Sequence, residues 1–251
     1  MGKDLSIIMP AYNERDRLGS SVTATLEYLS THDLRSELIV VDDGSTDDTA
    51  EIARLAATQF ASIPTRVVTY DENRGKGFAV KTGLLKAEGE IALFSDADLS
   101  TPIDELHKLV DPIRSGDYDV TFGSRALDRT LIGTHQPWRR EQGGRVMNLL
   151  IRSVSRLPFA DTQCGFKAFR MSRFRPLLDV MKIDRFGFDV EFLFVADYHK
   201  LRLAEIPVRW NDVAGSKVSV LRDTRRMISE LAQIRGNARS GKYDLWPPPA
   251  T

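Results

Sequence analysis

The stretch "IALFSDADLST", residues 91–101, joins two environments in eleven positions. Ile91–Phe94 is a short continuous apolar run, the pattern of a strand buried on both faces. It stops at two carboxylates one residue apart, Asp96 and Asp98. Three uses of that pair are open: a cap on the helix that follows Pro102, a nucleophile, or two hard oxygen ligands for Mg²⁺ or Mn²⁺. The surrounding chain must decide between them.

Working outward, the first half alternates strand and helix. "LSIIMP" (5–10), "ELIVVDD" (37–43), "TRVVTYD" (65–71), "IALFSDAD" and "YDVTFGSR" (118–125) read as strands. Between them, helical spacing or helix-start signals mark 14–31, the segment after "GST" with Ser45 or Thr46 as its cap, 75–89, and the segment from Pro102. This βαβα order predicts an α/β fold, a mostly parallel Rossmann-like sheet with helices on both faces. Ligands of such sheets bind beyond the carboxyl ends of the strands. All five strands end in polar segments: "PAYNE", "DDGS", "YDENRGKG", "SDAD" and "GSR". Five polar strand ends facing one crevice carry more weight than any one of them.

In the second half, 126–140 reads as a loop and about 141–156 as a helix. "FADTQCGFKAFR" (159–170) reads as a loop entering a strand, "GFDVEFLFVADYHK" (187–200) as a buried helix, "AEIPVRW" (204–210) as a strand, and 221–239 as an Arg-rich helix. One domain is expected over 1–240, in a first half (1–125), a second half (126–220) and a C-terminal helix (221–240), followed by a disordered tail (241–251).

The 251 residues suffice for a large core, and 42% apolar with 28% charged residues is an ordinary soluble composition. No apolar run approaches the roughly 20 residues of a membrane span. The N-terminus runs straight into a strand, unlike a signal peptide. A single cysteine, Cys164, excludes an intrachain disulfide and fits a cytoplasmic setting. Net charge is zero but divided: residues 1–125 hold 13 Lys/Arg and 22 Asp/Glu, residues 126–251 hold 22 and 13. Either two solvated surfaces differ in sign, or the basic half meets an anion such as a phosphorylated substrate or an acidic membrane. No nucleic-acid partner is expected.

"DADLS" resembles the D-x-D-x-T/S signature of haloacid-dehalogenase-type phosphohydrolases, whose first Asp is a nucleophile. That family places it after the first strand, and here it follows the fourth. More of the chain is accounted for by another resemblance. "IIMPAYNE" (7–14), "VVDDGSTDDT" (40–49), "NRGKGFAVKTG" (73–83) and "SDADLS" (95–100) resemble, in order, the family-2 inverting glycosyltransferases of GT-A fold. "GSR" (123–125), "RREQGGRVMNLL" (139–150), "DTQCGFK" (161–167) and "EIPVRWNDVAGSKVS" (205–219) are similar to the polyprenyl-phosphate sugar synthases within it, and "DTQCGFK" to the dolichyl-phosphate β-glucosyltransferases.

That resemblance implies a site, with a nucleotide-sugar and metal half over 1–125 and an acceptor half over 126–220. Pro10, Ala11 and Tyr12 would form a platform for the nucleotide, with Glu14 at its sugar edge. Asp42 or Asp43 would accept a hydrogen bond from base or ribose. Gly75 and Gly77 would permit close approach, and Lys76 would meet phosphate. Asp96 and Asp98 would hold Mg²⁺ or Mn²⁺, and Ser216 with Lys217 would neutralise the leaving diphosphate. Arg125, Arg139 and Arg145, with Gln163, would bind the acceptor phosphate. The implied reaction transfers glucose from UDP-glucose to a polyprenyl phosphate. GDP-mannose as donor, or a soluble acceptor, are the alternatives. Cys164 is expected to pack, while Asp189 and Glu191 either orient the acceptor or pair with Arg185. Membrane contact at the cytoplasmic face would be peripheral: Arg222, Arg225, Arg226, Arg235 and Arg239 would face headgroups while Leu221, Ile228, Leu231 and Ile234 pack inward.

Overall fold

The computed structural model describes residues 2–134, 138–213 and 220–245, with the side chains of 138–142, 145–146 and 220–224 excepted. In chain order the first half runs β1 (Lys3–Ala11), α1 (Leu18–Ser30), β2 (Ser36–Asp42), α2 (Thr49–Ala57), β3 (Thr65–Thr69), α3 (Lys76–Lys86), β4 (Gly89–Ser95), α4 (Leu106–Arg114) and β5 (Val120–Ser124). The second half runs β6 (Ile132–Thr134), α5 (Trp138–Ser155), β7 (Phe166–Arg170), α6 (Met171–Phe174), α7 (Phe188–Tyr198), β8 (Leu203–Pro207), β9 (Trp210–Asn211) and α8 (Val220–Arg239).

Seven strands form one sheet in the order β3-β2-β1-β4-β7-β5-β8, and β6 pairs with β9 in a small second sheet. Strand alternation divides the apolar residues between two core layers. Ile7, Met9, Leu38 and Val40 meet α1, α2 and α4 on one face, while Ile8, Ile39, Val41 and Phe94 meet α3, α7 and α8 on the other. This is why "ELIVVD" is continuously apolar: both of its faces are covered.

The sheet is parallel as expected, with one exception. β7 runs antiparallel between β4 and β5, in a register that sets Phe166 opposite Ser95. The chain just before β7, the "DTQCG" of 161–165, is thereby delivered to the carboxyl end of β4. Because β7 reverses direction twice in the sheet order, β5 is again parallel to β4 and ends on the same edge.

Several local expectations are corrected. The second helix begins at Thr49, so neither Ser45 nor Thr46 caps it. Ser45 Oγ instead accepts the Asn13 N–H (2.8 Å), and the Thr46 N–H donates to Asn13 Oδ1 (2.8 Å), lacing the loops after β1 and β2. Asp47 Oδ1 accepts the Thr49 N–H at 3.0 Å. The expected loop 126–140 contains β6 and the start of α5. Residues 241–245, expected in a disordered tail, belong to the body: Tyr243 is fully buried and donates to Glu191 Oε1 at 2.7 Å.

On α8 the inward face differs from the expected one by one residue. Met227, Leu231 and Ile234 are buried, at the i, i+4, i+7 spacing of a helix face, whereas Ile228 is 48% exposed. Leu221 and Arg222 lie outside the described side chains. Leu231→Ala should therefore cost about 2–4 kcal/mol in urea unfolding, and Ile228→Ala less than about 0.5 kcal/mol. Equal costs for the two would contradict this placement of α8.

Candidate active site

The ends of β1, β2 and β4 and the loops after β3 and before α7 surround a cleft of about 510 Å³. Pro10, Ala11, Tyr12 and Glu14 line it from β1, Gly75 and Lys76 from the start of α3, and Asp96 and Asp98 from beyond β4. The residues expected to form a nucleotide platform and a metal site thus share one cleft. A second hollow, of about 460 Å³ between Arg54 and Val67, lies by α2 and the start of β3, away from these strand ends.

The two aspartates converge through a tight turn. Asp96 N–H donates to Gly165 O (3.0 Å), and Leu99 N–H donates back to Asp96 O (3.1 Å). Asp98 Oδ1 accepts the Ser100 N–H at 3.0 Å, a local turn contact and not a helix cap. Leu99 sits at φ +47°, a left-handed conformation that costs a non-glycine residue roughly 1–2 kcal/mol. The turn holds that strain while bringing both carboxylates to the cleft.

Lys76 Nζ is 2.5 Å from Asp96 Oδ1, an ion pair inside the cleft. Asp96 Oδ1 is buried against that ammonium, with no backbone N–H or hydroxyl donating to it. Burial raises the Asp96 carboxyl's pKa, with the Asp98 and Asp189 charges adding to it, by more than Lys76 offsets. Burial would lower the Lys76 ammonium's, yet the charges of Asp96 and Asp189 leave it raised. Two carboxylates converging at the cleft, one of them held only by a flexible ammonium, fit a hard divalent cation. Among the described residues no three His, Cys, Asp or Glu gather into a metal site, so a cation here would complete its shell with phosphate oxygens and water.

Gly165 is the floor under Asp96. A Cβ at that position would lie 2.1 Å from Asp96 Oδ2 and 2.5 Å from Oδ1. The glycine of "DTQCGFK" is therefore what lets the carboxylate sit where it does. Two residues on, Lys167 is fully buried; its ammonium donates to Cys164 O (2.6 Å) and Asp189 Oδ1 (2.5 Å) and lies 5.3 Å from the Phe94 ring centroid. Asp189 thus pairs with Lys167 and not with Arg185. Glu191 is committed too, accepting the Lys182 and Ile183 N–H groups and the Tyr243 hydroxyl.

The two aspartates after β2 differ. Asp43 accepts from the Tyr70 hydroxyl (2.7 Å), Asn73 Nδ2 (2.7 Å), and the Arg74 and Gly75 N–H groups (2.9 and 2.8 Å). Asp43 lines the cleft, and both its oxygens already accept from the turn they organise. Asp42 Oδ1 accepts the Ser45 N–H and hydroxyl, and its side chain does not line the cleft. Gly75 and Gly77 serve a close approach, but by protein. A Cβ on Gly75 (φ +112°) would lie 2.4 Å from Asp184 O, and one on Gly77 2.7 Å from Ile183 O.

Arg125 makes a two-pronged pair with buried Asp161, Nε–Oδ2 2.6 Å and Nη2–Oδ1 2.8 Å. Burial alone would raise the Asp161 carboxyl's pKa, yet Arg125 holds it below its ordinary 3.8. Glu205 accepts the Ala160 and Asp161 N–H groups (2.8 and 2.7 Å), fixing the loop that carries the pair. Gln163 N–H donates to Asp161 Oδ1 at 3.2 Å. Arg125 does not line the cleft but is close enough to Asp96 to feel its charge. Cys164 packs, as expected: it is buried, and burial pushes its thiol up to about 11. The side chains of Arg139 and Arg145, and Ser216 and Lys217 altogether, lie outside the described residues.

Sequence reading missed Arg17, Asn73, Arg185 and Phe186, all of which line the cleft. Arg17 had a signal, standing three residues after Glu14, to which its Nη2 donates at 2.8 Å. The Gly165 contact had none, because it depends on a strand pairing across some seventy residues of chain.

The family model for glycosyl transferase family 2 matches residues 6–178. The human dolichyl-phosphate beta-glucosyltransferase is 32% identical over 97% of this chain and 78% of its own length. The Drosophila melanogaster dolichyl-phosphate beta-glucosyltransferase is 37% identical, over 86% and 69%. The crystal structure of glucosyl-3-phosphoglycerate synthase from Mycobacterium tuberculosis, solved with Mn²⁺, UDP-glucose and phosphoglyceric acid, superposes with a TM-score of 0.71 at 20% identity, covering 94% of this chain and 80% of that one; that likeness concerns the fold.

Two outcomes follow from the geometry. Gly165→Ala should displace the Asp96 carboxylate and weaken Mn²⁺ binding on the order of 10- to 100-fold by calorimetry, with the far-ultraviolet dichroism unchanged. Asp161→Asn should destabilise the protein at neutral pH, since a depressed carboxyl contributes stability above its unfolded value. The gap from wild type should close as pH falls below 3.8. A gap that stays constant with pH would mean the Arg125 pair contributes nothing through charge.

Proposed function

The chain belongs to glycosyl transferase family 2, and from that premise we propose that it moves glucose from UDP-glucose to a polyprenyl, dolichyl-type phosphate with inversion at the sugar. The observation that carries this reading is the junction of β4 and β7. There the "DTQCGFK" segment, similar to that of the dolichyl-phosphate glucosyltransferases, supplies the floor under the Asp96 carboxylate. Donor side and acceptor side meet at that contact.

Pro10, Ala11 and Tyr12 hold the nucleotide face of the cleft. Asp43 lines the same cleft and shapes the turn that places Gly75 and Lys76. Asp96 and Asp98 would hold Mg²⁺ or Mn²⁺, which when bound supplies positive charge against the diphosphate as it leaves. Lys76 stands at the same carboxylate and can shift its ammonium toward a diphosphate oxygen. Ser216 and Lys217 are assigned to the diphosphate from sequence.

On the acceptor side, a phosphate monoester is already anionic at neutral pH and needs no strong base. It needs cations in fixed directions. Asp161 uses two of the five guanidinium donors of Arg125 and orients the rest. Arg139, Arg145 and Gln163 complete the acceptor assignment. Among the described residues no helix is long and apolar enough to cross a membrane.

Incubation with UDP-glucose, Mg²⁺ and a short polyprenyl phosphate should give organic-extractable glucose. Water-soluble product, or transfer from GDP-mannose alone, would replace this reading with a different substrate pair. Asp98→Ala should lower the rate of transfer by about 100-fold or more, by loss of a carboxylate that would hold the cation set against the leaving diphosphate. Full activity in that variant would sink the metal assignment. Arg145→Ala should raise the acceptor KM and leave the donor KM near wild type.

A further inference from the structure

The loop Lys182–Gly187 carries Arg185 and Phe186 into the cleft, and its backbone is held from several directions. The Lys182 and Ile183 N–H groups donate to Glu191 (2.9 and 2.8 Å), and the Gly187 N–H donates to Glu230 Oε2 on α8 (2.7 Å). Asp184 O accepts the Phe78 N–H of α3 at 3.0 Å. Gly75 and Gly77 lack the side chains that would push this loop away. Glu191 is 0% exposed, and burying a carboxylate is costly unless its oxygens are filled. Here they are filled by the loop and by Tyr243. A fixed backbone is thus built under one side chain that is not itself fixed.

That side chain is Arg185. Its stem runs over Gly75, since a Cβ on the glycine would lie 2.9 Å from Arg185 Cγ. Three cations line the cleft. Arg17 pairs with Glu14 and stands 3.9 Å from Asp98, and Lys76 pairs with Asp96. Among the described residues the Arg185 guanidinium has no carboxylate partner. The acids next along the chain cannot serve it: Asp189 is taken by Lys167, and Glu191 by backbone and Tyr243.

We infer that Arg185 is a binding residue for the diphosphate of the nucleotide donor. The inference rests on the donor reading above and adds to it. A guanidinium only donates hydrogen bonds, so within a nucleotide sugar its match is the phosphate oxygens. The neighbouring position of Lys76 puts Arg185 at the phosphate stretch of the cleft, and the pinned loop supplies the guanidinium with its stem already in place. The partners that Asp96 and Glu14 give to Lys76 and Arg17 leave Arg185 as the cation that meets the ligand without first breaking an ion pair.

The test is calorimetric titration of UDP and of UMP, both with Mg²⁺, into wild type, Arg185→Gln and Arg185→Lys. Arg185→Gln should weaken UDP binding on the order of 10- to 100-fold and change UMP binding less than about twofold, and Arg185→Lys should recover part of the loss. Thermal melting equal to wild type checks that the loop is intact. Undiminished UDP binding in Arg185→Gln, or equal losses for UDP and UMP, overturns the inference alone. A wild type that binds no UDP overturns both the inference and the donor reading.

Discussion

The arrangement of the site depends on one contact, the Asp96 carboxylate lying against Gly165. It exists because β7 enters the sheet antiparallel beside β4, with Phe166 opposite Ser95 and Asp96 N–H bonded to Gly165 O at 3.0 Å. A parallel strand in that slot would bring its other end to this edge. The antiparallel insertion instead delivers the chain leading into β7, with Asp161, Cys164 and Gly165, to the point where the two aspartates end β4. Strand direction, more than side-chain chemistry, unites the two aspartates after β4 with the 161–165 segment here.

The acids of the site divide by what fills their oxygens. Asp43, Glu191, Glu205 and Asp161 are filled by backbone N–H groups, hydroxyls or a guanidinium. They hold turns in place, and each leaves behind it a polar or cationic group aimed at the cleft or the loop beside it. Asp96 differs in that Oδ1 meets only the ammonium of a long, flexible side chain, Lys76 at 2.5 Å. A flexible ammonium can move aside for a bound cation, whereas backbone N–H groups that organise a turn cannot. The geometry thus separates acids that shape the site from the acid positioned to act in it.

Much of this was legible in sequence, for local reasons. Continuous apolar runs such as "ELIVVD" report burial on both faces, and polar residues at their ends report the ligand edge of a parallel sheet. Those signals located Asp96, Asp98, Lys76 and the "PAYNE" residues in one cleft. What stayed hidden depends on distant partners. Nothing near Asp43 reveals that Tyr70 and the 73–75 turn consume its carboxylate. Gly75 and Gly77 looked suited to phosphate because the loop that presses on them is over a hundred residues away. Ile228 fits a helical stripe drawn on paper, but which stripe faces inward is set by the body against which α8 packs.

The same distinction changes the meaning of the charge divide. A basic second half suggests an anion-binding surface, yet part of its charge is used within the chain. Arg209 bonds Glu105 and Asp104 (2.6 and 2.5 Å), and Arg170 and Arg202 both reach Asp119 (3.6 and 3.3 Å). Glu105 and Asp119 are nearly buried acids of the first half, so these arginines dock one half on the other. Counting cations therefore overstates what an anion would meet. What an incoming phosphate can engage is set by the arginines whose forks are not already filled, and in the described structure that criterion selects Arg185 at the cleft and the outer donors of Arg125 beside it.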